Sequence, residues 1–122
     1  MSEKQRVMIL EDNAMMRSLL QTLLELEKFQ VICPAFPIVD AVKEIRGINP
    51  SIILLDINLP NINGISLMQN IRSTDDIKDT KVIMSSGSDR KQECLAAGAN
   101  SFLMKPYMPD DLINLVKKLL NE

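Results

Sequence analysis

The sequence predicts an α/β fold built on a parallel sheet, and three observations carry that prediction. Short apolar runs alternate with stretches of helical spacing about five times along the 122 residues. Runs such as Val7-Met8-Ile9-Leu10 and Ile52-Ile53-Leu54-Leu55 are continuously apolar, as strands buried on both faces are. Several runs end in groups suited to chemistry: Glu11-Asp12, Asp56, Ser86 and Lys105. Strand and helix in alternation call for a parallel sheet with helices on both faces, which delivers these strand exits to one edge.

Each element has a local reason. After Val7–Leu10, Asn13 is placed to cap a helix, because its side-chain oxygen accepts from an orphan amide of the first turn. Met16, Leu19, Leu20 and Leu23 recur at helical spacing and predict one inward stripe on a helix to about Lys28. Val31-Ile32-Cys33 reads as a brief second strand, and Pro34 and Pro37 break the chain after it. Ile38, Ala41, Val42 and Ile45 resume helical spacing until Gly47 and Pro50 end it. Ser51 to Asp56, bounded by Pro50 and Pro60, is the central strand. Gly64 begins a third helix with Leu67, Met68 and Ile71 inward. Residues 73–80 have loop composition, and Lys81 to Ser85 form a fourth strand ending at Ser85-Ser86-Gly87. Asp89 to Ala97 is a short helix stopped by Gly98 in a left-handed cap. Ser101 to Met104 is the fifth strand, followed by Lys105-Pro106. Pro109 opens the last helix, where its missing N–H costs nothing. Leu112, Leu115, Val116 and Leu119 form its stripe, and Lys117 and Lys118 sit near the negative end of its dipole.

The totals fit one domain over residues 1–122. A hydrophobic content of 46% with 25% charged residues argues against disorder. A net charge of -2 gives no reason to expect direct nucleic-acid binding. No apolar run approaches the roughly 20 residues of a membrane span, and the N-terminus lacks the pattern of a signal peptide. A cytoplasmic location is therefore the expectation. With no histidine, imidazole ligands and bases are excluded, and the isolated Cys33 and Cys94 read as reduced thiols.

Taken singly, Asp56 reads as a loop carboxylate, Glu11-Asp12 as capping charge, Ser86 as a turn former and Lys105 as a surface ammonium. Converging, they form a coherent reactive set. Carboxylates gathered at one place repel, and a divalent cation relieves the repulsion. An all-oxygen donor set suits Mg²⁺. A carboxylate beside that ion can attack a phosphoryl group and form an acyl phosphate. A lysine stabilises the transferring oxygens, and a serine hydroxyl can report the new group to the neighbouring loop.

The chain resembles the receiver domain of bacterial two-component response regulators, CheY-like, over nearly its whole length. The matching pieces are Val7 to Asn13, Ile53 to Pro60 with Gly64, Val82 to Gly87, and Gly98-Ala99 leading to Lys105-Pro106. The resemblance implies a flavodoxin-like three-layer α/β/α sandwich with a five-stranded parallel sheet in the order 2-1-3-4-5. It implies Asp56 as phosphoacceptor, supplied by a sensor histidine kinase or phosphotransfer protein. Mg²⁺ would be held by Glu11, Asp12, Asp56 and the backbone carbonyl of Asn58. Ser86 and Lys105 would bind the phosphoryl group, and Lys105-Pro106 would be a cis peptide. Phe102 reads either as an aromatic switch or as a core aromatic. Such domains act through a downstream target or output domain, and some form phosphorylation-dependent homodimers.

Three features depart from the family pattern. Glu11 replaces the more frequent aspartate of the acidic pair. Pro37-Ile38 stands where a polar-glycine turn is common. Ser86 to Lys105 is shorter than usual by about three residues, nearly one helical turn, which places a deletion between Ser88 and Ala97. Two other functions compete with the signalling one. A metal-dependent phosphatase with an aspartyl nucleophile would need an acid/base carboxylate soon after it, where this chain has Asn58. A pseudo-receiver that only docks partners would not need the acidic set or Lys105. The domain is expected to catalyse only its own phosphorylation and dephosphorylation, and not to be an enzyme acting on outside substrates.

Overall fold

The apolar runs become the strands of one parallel sheet. The computed structural model describes residues 4–121, and its first strand, β1 (Arg6–Leu10), leads into helix α1 (Ala14–Leu26). β2 (Gln30–Ile32), α2 (Ala41–Ile48) and β3 (Ile52–Asp56) come next. A small antiparallel ladder, β4 (Asn58–Leu59) and β5 (Ile62–Asn63), precedes α3 (Gly64–Arg72). β6 (Lys81–Ser86), α4 (Lys91–Ala96), β7 (Ser101–Met104) and α5 (Pro109–Leu120) complete the chain. The main sheet runs β2-β1-β3-β6-β7 with every pair parallel. With the hairpin strands set aside, this is the expected order 2-1-3-4-5, and the fold is the flavodoxin-like α/β/α sandwich.

The continuous apolar runs are explained by two cores, one on each face of the sheet. Successive side chains of a strand point to opposite faces. Val7, Ile9, Ile52, Leu54 and Ile83 pack with Leu20 and Leu24 of α1 and with Leu112, Val116 and Leu119 of α5. Met8, Leu10, Ile53, Leu55, Val82 and Met84 pack with Ile45 of α2, Leu67, Met68 and Ile71 of α3, and Cys94 of α4. No helix among the described residues is long and apolar enough to cross a membrane.

Several element limits differ from expectation for identifiable reasons. α1 ends at Leu26, and Lys28 takes a positive φ of 73° that leaves the helix. Leu19, placed inward by its spacing, is 48% exposed, because α1 turns Leu20 and Leu24 to the sheet. Helix α2 starts at Ala41, not Ile38, because Asp40 caps it, accepting from the Lys43 N–H at 3.1 Å. It runs through Gly47 and ends at Asn49, a left-handed cap with φ 51°. The Phe36–Pro37 peptide bond is cis, and Ile38 packs against the core from the loop before the helix. Asn63 caps α3, accepting from the Ser66 N–H at 3.0 Å. α4 has only six residues and no side-chain cap.

Two glycines are required by close approach. A Cβ on Gly64 would lie 2.8 Å from the Ile57 Cα and 3.0 Å from its carbonyl oxygen. Gly98 has φ +115°, and a Cβ there would meet the Arg72 side chain at 2.7 Å. Arg72 needs that space. Its guanidinium donates to the carbonyls of Gly98, Lys78 and Thr80 and to Asn100 Oδ1, all within 2.9 Å. One side chain thus ties the end of α3 to the loop before β6 and to the turn before β7.

Gly64→Ala is expected to destabilise by about 1–3 kcal/mol, since the overlap is with backbone that cannot swing aside; a lower urea midpoint at unchanged slope would show it. Arg72→Met leaves those carbonyls without their shared donor and is expected to cost about 2 kcal/mol, measured the same way.

Candidate functional site

The reversal in strand order puts β1 and β3 side by side, and in such sheets sites form outside the carboxyl ends of the strands at that point. Leu10 pairs with Leu55 and Asp56 pairs with Ser85. Glu11 therefore leaves β1 beside the end of β3, and Ser86 ends the next strand. The Lys105 N–H donates to the Ser86 carbonyl at 2.8 Å, so Lys105 emerges from β7 at the same edge.

Carboxylate oxygens of Glu11, Asp12 and Asp56 all lie within 4.8 Å of one another. Glu11 and Asp56 are buried, whereas Asp12 is exposed. Lys105 reaches between the buried pair: its Nζ donates to Glu11 Oε1 at 2.6 Å and to Asp56 Oδ2 at 2.8 Å. The remaining oxygens are held by backbone. Asn13 N–H donates to Glu11 Oε2 at 3.1 Å, and Asn58 N–H donates to Asp56 Oδ1 at 3.0 Å. Burial pulls the Lys105 pKa down, but the bonds and charges of Asp56 and Glu11 outweigh it, and the ammonium is held above its ordinary value. The lysine is thus firmly charged at neutral pH.

Three carboxylates against one ammonium leave the pocket with an excess of negative charge. The donors are all oxygen, which favours Mg²⁺ or a similar hard cation. An ion with ligands at about 2.1 Å spans at most about 4.2 Å between opposite oxygens. The three carboxylates therefore fit one ion with a small side-chain adjustment or a water relaying one of them.

The other expected residues sit around this pocket. Ser86 is fully buried; its Oγ accepts from the Ser88 N–H at 3.2 Å and lies 3.4 Å from Ser88 Oγ. Phe102 is partly buried and packs on the face covered by α2, α3 and α4. The Lys105–Pro106 peptide bond is cis. Asn58 lies beside Asp56 and contributes its N–H.

The structure also adds residues that sequence reasoning does not place. Arg17 Nη1 donates to the Glu11 carbonyl at 2.9 Å, tying α1 to the loop after β1. Tyr107 comes just after the cis proline and packs against the core under α1 and α5. Its phenol pKa is raised by burial, with Lys105, Glu11 and Asp56 all close enough to act on it. Asn13, read as a helix cap, does cap α1. Its second role, fixing Glu11 through its own N–H, has no sequence signal. Met15, Met16 and Leu19 of α1 line an open cavity of about 400 Å³ with Asn13 and Lys105, so an apolar strip adjoins the charged pocket.

Comparison with known proteins agrees with this fold. The chemotaxis protein CheY of Bacillus subtilis is 28% identical, the match covering 95% of this chain and 98% of that protein. A segment of the hybrid signal transduction histidine kinase C of Dictyostelium discoideum is 32% identical over 93% of this chain, and that match spans 10% of the longer protein. Among solved structures, the receiver domain of a Francisella response regulator superposes with a TM-score of 0.87 at 28% identity, covering 97% of this chain and 98% of that one. A CheY-like response regulator receiver domain protein from Methanospirillum hungatei gives 0.86 at 26% identity, with 98% and 95% covered. The sequence matches the response regulator receiver domain family over residues 7–117, and with the strand order, the acidic exits and the lysine in place, the chain belongs to that family of two-component signalling modules.

Proposed function

We propose that this chain is the phosphoacceptor of a two-component phosphorelay, taking a phosphoryl group onto Asp56 from a phosphohistidine on a sensor histidine kinase or phosphotransfer protein. One observation carries the reading: a buried carboxylate at the exit of the central strand lies 2.8 Å from a lysine and close to two further carboxylates. The Asn58 N–H and Lys105 hold the Asp56 carboxylate in one orientation, so the nucleophile is positioned before the donor arrives. An Asp56 oxygen bonds to phosphorus as the P–N bond to imidazole breaks. Glu11, Asp12, Asp56 and the Asn58 carbonyl would hold Mg²⁺, which when bound neutralises the charge of the phosphoryl oxygens. Lys105 takes a phosphoryl oxygen as its new partner. Ser86 leaves Ser88 to donate to the phosphoryl group, and Phe102 turns inward as the loop after β6 moves.

The module works by changing protein contacts in the cytoplasm, and not by turnover of outside substrates. The apolar strip of Met15 and Leu19, which are 83% and 48% exposed and continuous with the pocket, gives the phosphodonor protein a surface next to Asp56. The face formed by α4, β7 and α5 is the one proposed for the downstream target or a phosphorylation-dependent homodimer. The short α4 shapes that face without altering the pocket.

Incubated with Mg²⁺ and acetyl phosphate, the protein is expected to gain one phosphoryl unit by intact mass, stable to acid and labile to base. Asp56→Asn and chelation by EDTA each abolish the gain; an unmodified wild-type protein with both this donor and a kinase would overturn the reading. Ser86→Ala is expected to be phosphorylated on Asp56 still, while the change in amide exchange across residues 85–107 seen on phosphorylation of the wild type is lost.

A further inference from the structure

Helix α1 starts beside the pocket and brings apolar side chains up to it. Met15, Met16 and Leu19 line an open cavity of about 400 Å³ together with Asn13 and Lys105, a size usual for small-molecule sites. Lys105 alone among these five is charged, and it also belongs to the reactive pocket, where its Nζ donates to Asp56 Oδ2 at 2.8 Å. The apolar cavity therefore opens directly onto the nucleophile. Other residues around the pocket are polar: Asp12, Asn58 and Ser88 are all exposed. A phosphoryl group moving onto Asp56 sets the attacking oxygen, phosphorus and the leaving oxygen roughly in line. Asp56 is buried at the end of β3, so the leaving group points outward, past Lys105. Aliphatic carbons on that group meet Met15, Met16 and Leu19 on one side and polar groups or water on the others. Removal of apolar carbon from water favours the α1 side.

We infer that Met15, Met16 and Leu19 form an acyl subsite, so that the protein takes phosphoryl groups from small aliphatic acyl phosphates and prefers chains of three or four carbons to acetyl. This deepens the phosphoacceptor reading above and rests on it. An Asp56 oxygen bonds to phosphorus as the bond from phosphorus to the acyl oxygen breaks, and that oxygen keeps the electron pair. The products are the Asp56 acyl phosphate and a free carboxylate; charge is conserved and no proton has to move. Full burial of one methylene is worth about fourfold, and an open groove that covers half of it about twofold. The chain is held alike before and during transfer, so the gain appears in the second-order rate constant.

The test is the rate of mass gain by the full chain in MgCl₂ with acetyl, propionyl or butyryl phosphate, each at low concentration. Wild type is expected to react about twofold faster with propionyl than with acetyl phosphate, and about fourfold faster with butyryl phosphate. The double variant Met15→Gln/Leu19→Gln keeps good helix formers in α1 and is expected to bring the butyryl-to-acetyl ratio to about one. A ratio between donors does not move with the folded fraction or with metal affinity, so a merely structural effect leaves it unchanged. Leu19→Gln alone, with a ratio of about two, serves if the double variant fails to fold by circular dichroism. Equal wild-type rates with the three donors overturn the subsite, as does a butyryl preference that persists in the variant, and either result leaves the phosphoacceptor reading standing. No transfer from any of the three overturns the subsite too, and the phosphoacceptor reading falls with it only if a kinase also fails.

Discussion

A sheet covered by helices on both faces admits almost no polar side chain along its strands, and the rest of this molecule depends on that restriction. Alternate residues of β1 and β3 enter two different apolar cores, one under α1 and α5, the other under α2, α3 and α4. An unpaired charge in either core would cost several kcal/mol, roughly, even after local relaxation. The reactive groups are therefore confined to strand exits. Because every strand of the main sheet runs the same way, the exits of β1, β3, β6 and β7 share one edge. Glu11, Asp56, Ser86 and Lys105, far apart in sequence, meet there.

Gathering carboxylates at a half-dry edge creates its own problem, and the local backbone helps to solve it. The N–H groups of Asn13 and Asn58 each fix one carboxylate oxygen. Lys105 supplies the only ammonium bonded to the buried pair among the described residues. The pocket still carries more negative than positive charge. That residual charge makes it receptive to a divalent cation, while the lysine keeps Glu11 and Asp56 compatible without one.

The segments around the pocket illustrate why local pattern is an incomplete guide. Helical spacing from Ile38 suggests a helix that in fact begins at Ala41, because the Asp40 cap governs the start. Leu19 fits an inward stripe by spacing, yet the rotation of α1 is set by Leu20 and Leu24 against the sheet. The hairpin at Asn58–Asn63 has no alternating apolar pattern to announce it. Pro60 and an Asn61 with φ 58° turn the chain, and buried Leu59 anchors it to the core. Arg72 would pass for a surface residue at a helix end. Its role emerges only where three separate carbonyls come within its reach.

Sequence alone determined the fold class, the identity of the five strands of the main sheet and the residues that gather at their exits. Continuous apolar runs, helix caps and breakers are local properties, and parallel connectivity leaves little choice about where the exits point. Only the tertiary structure decided how those residues engage one another. That Lys105 bridges Glu11 and Asp56, that Asn13 and Asn58 hold the opposite oxygens, and that Ser86 rests on Ser88 are distances set by how the strand exits and their loops are brought together. They depend on strand register, on helix rotation and on the length of one side chain, the glutamate at position 11, whose reach is visible in the sequence but whose partner is not.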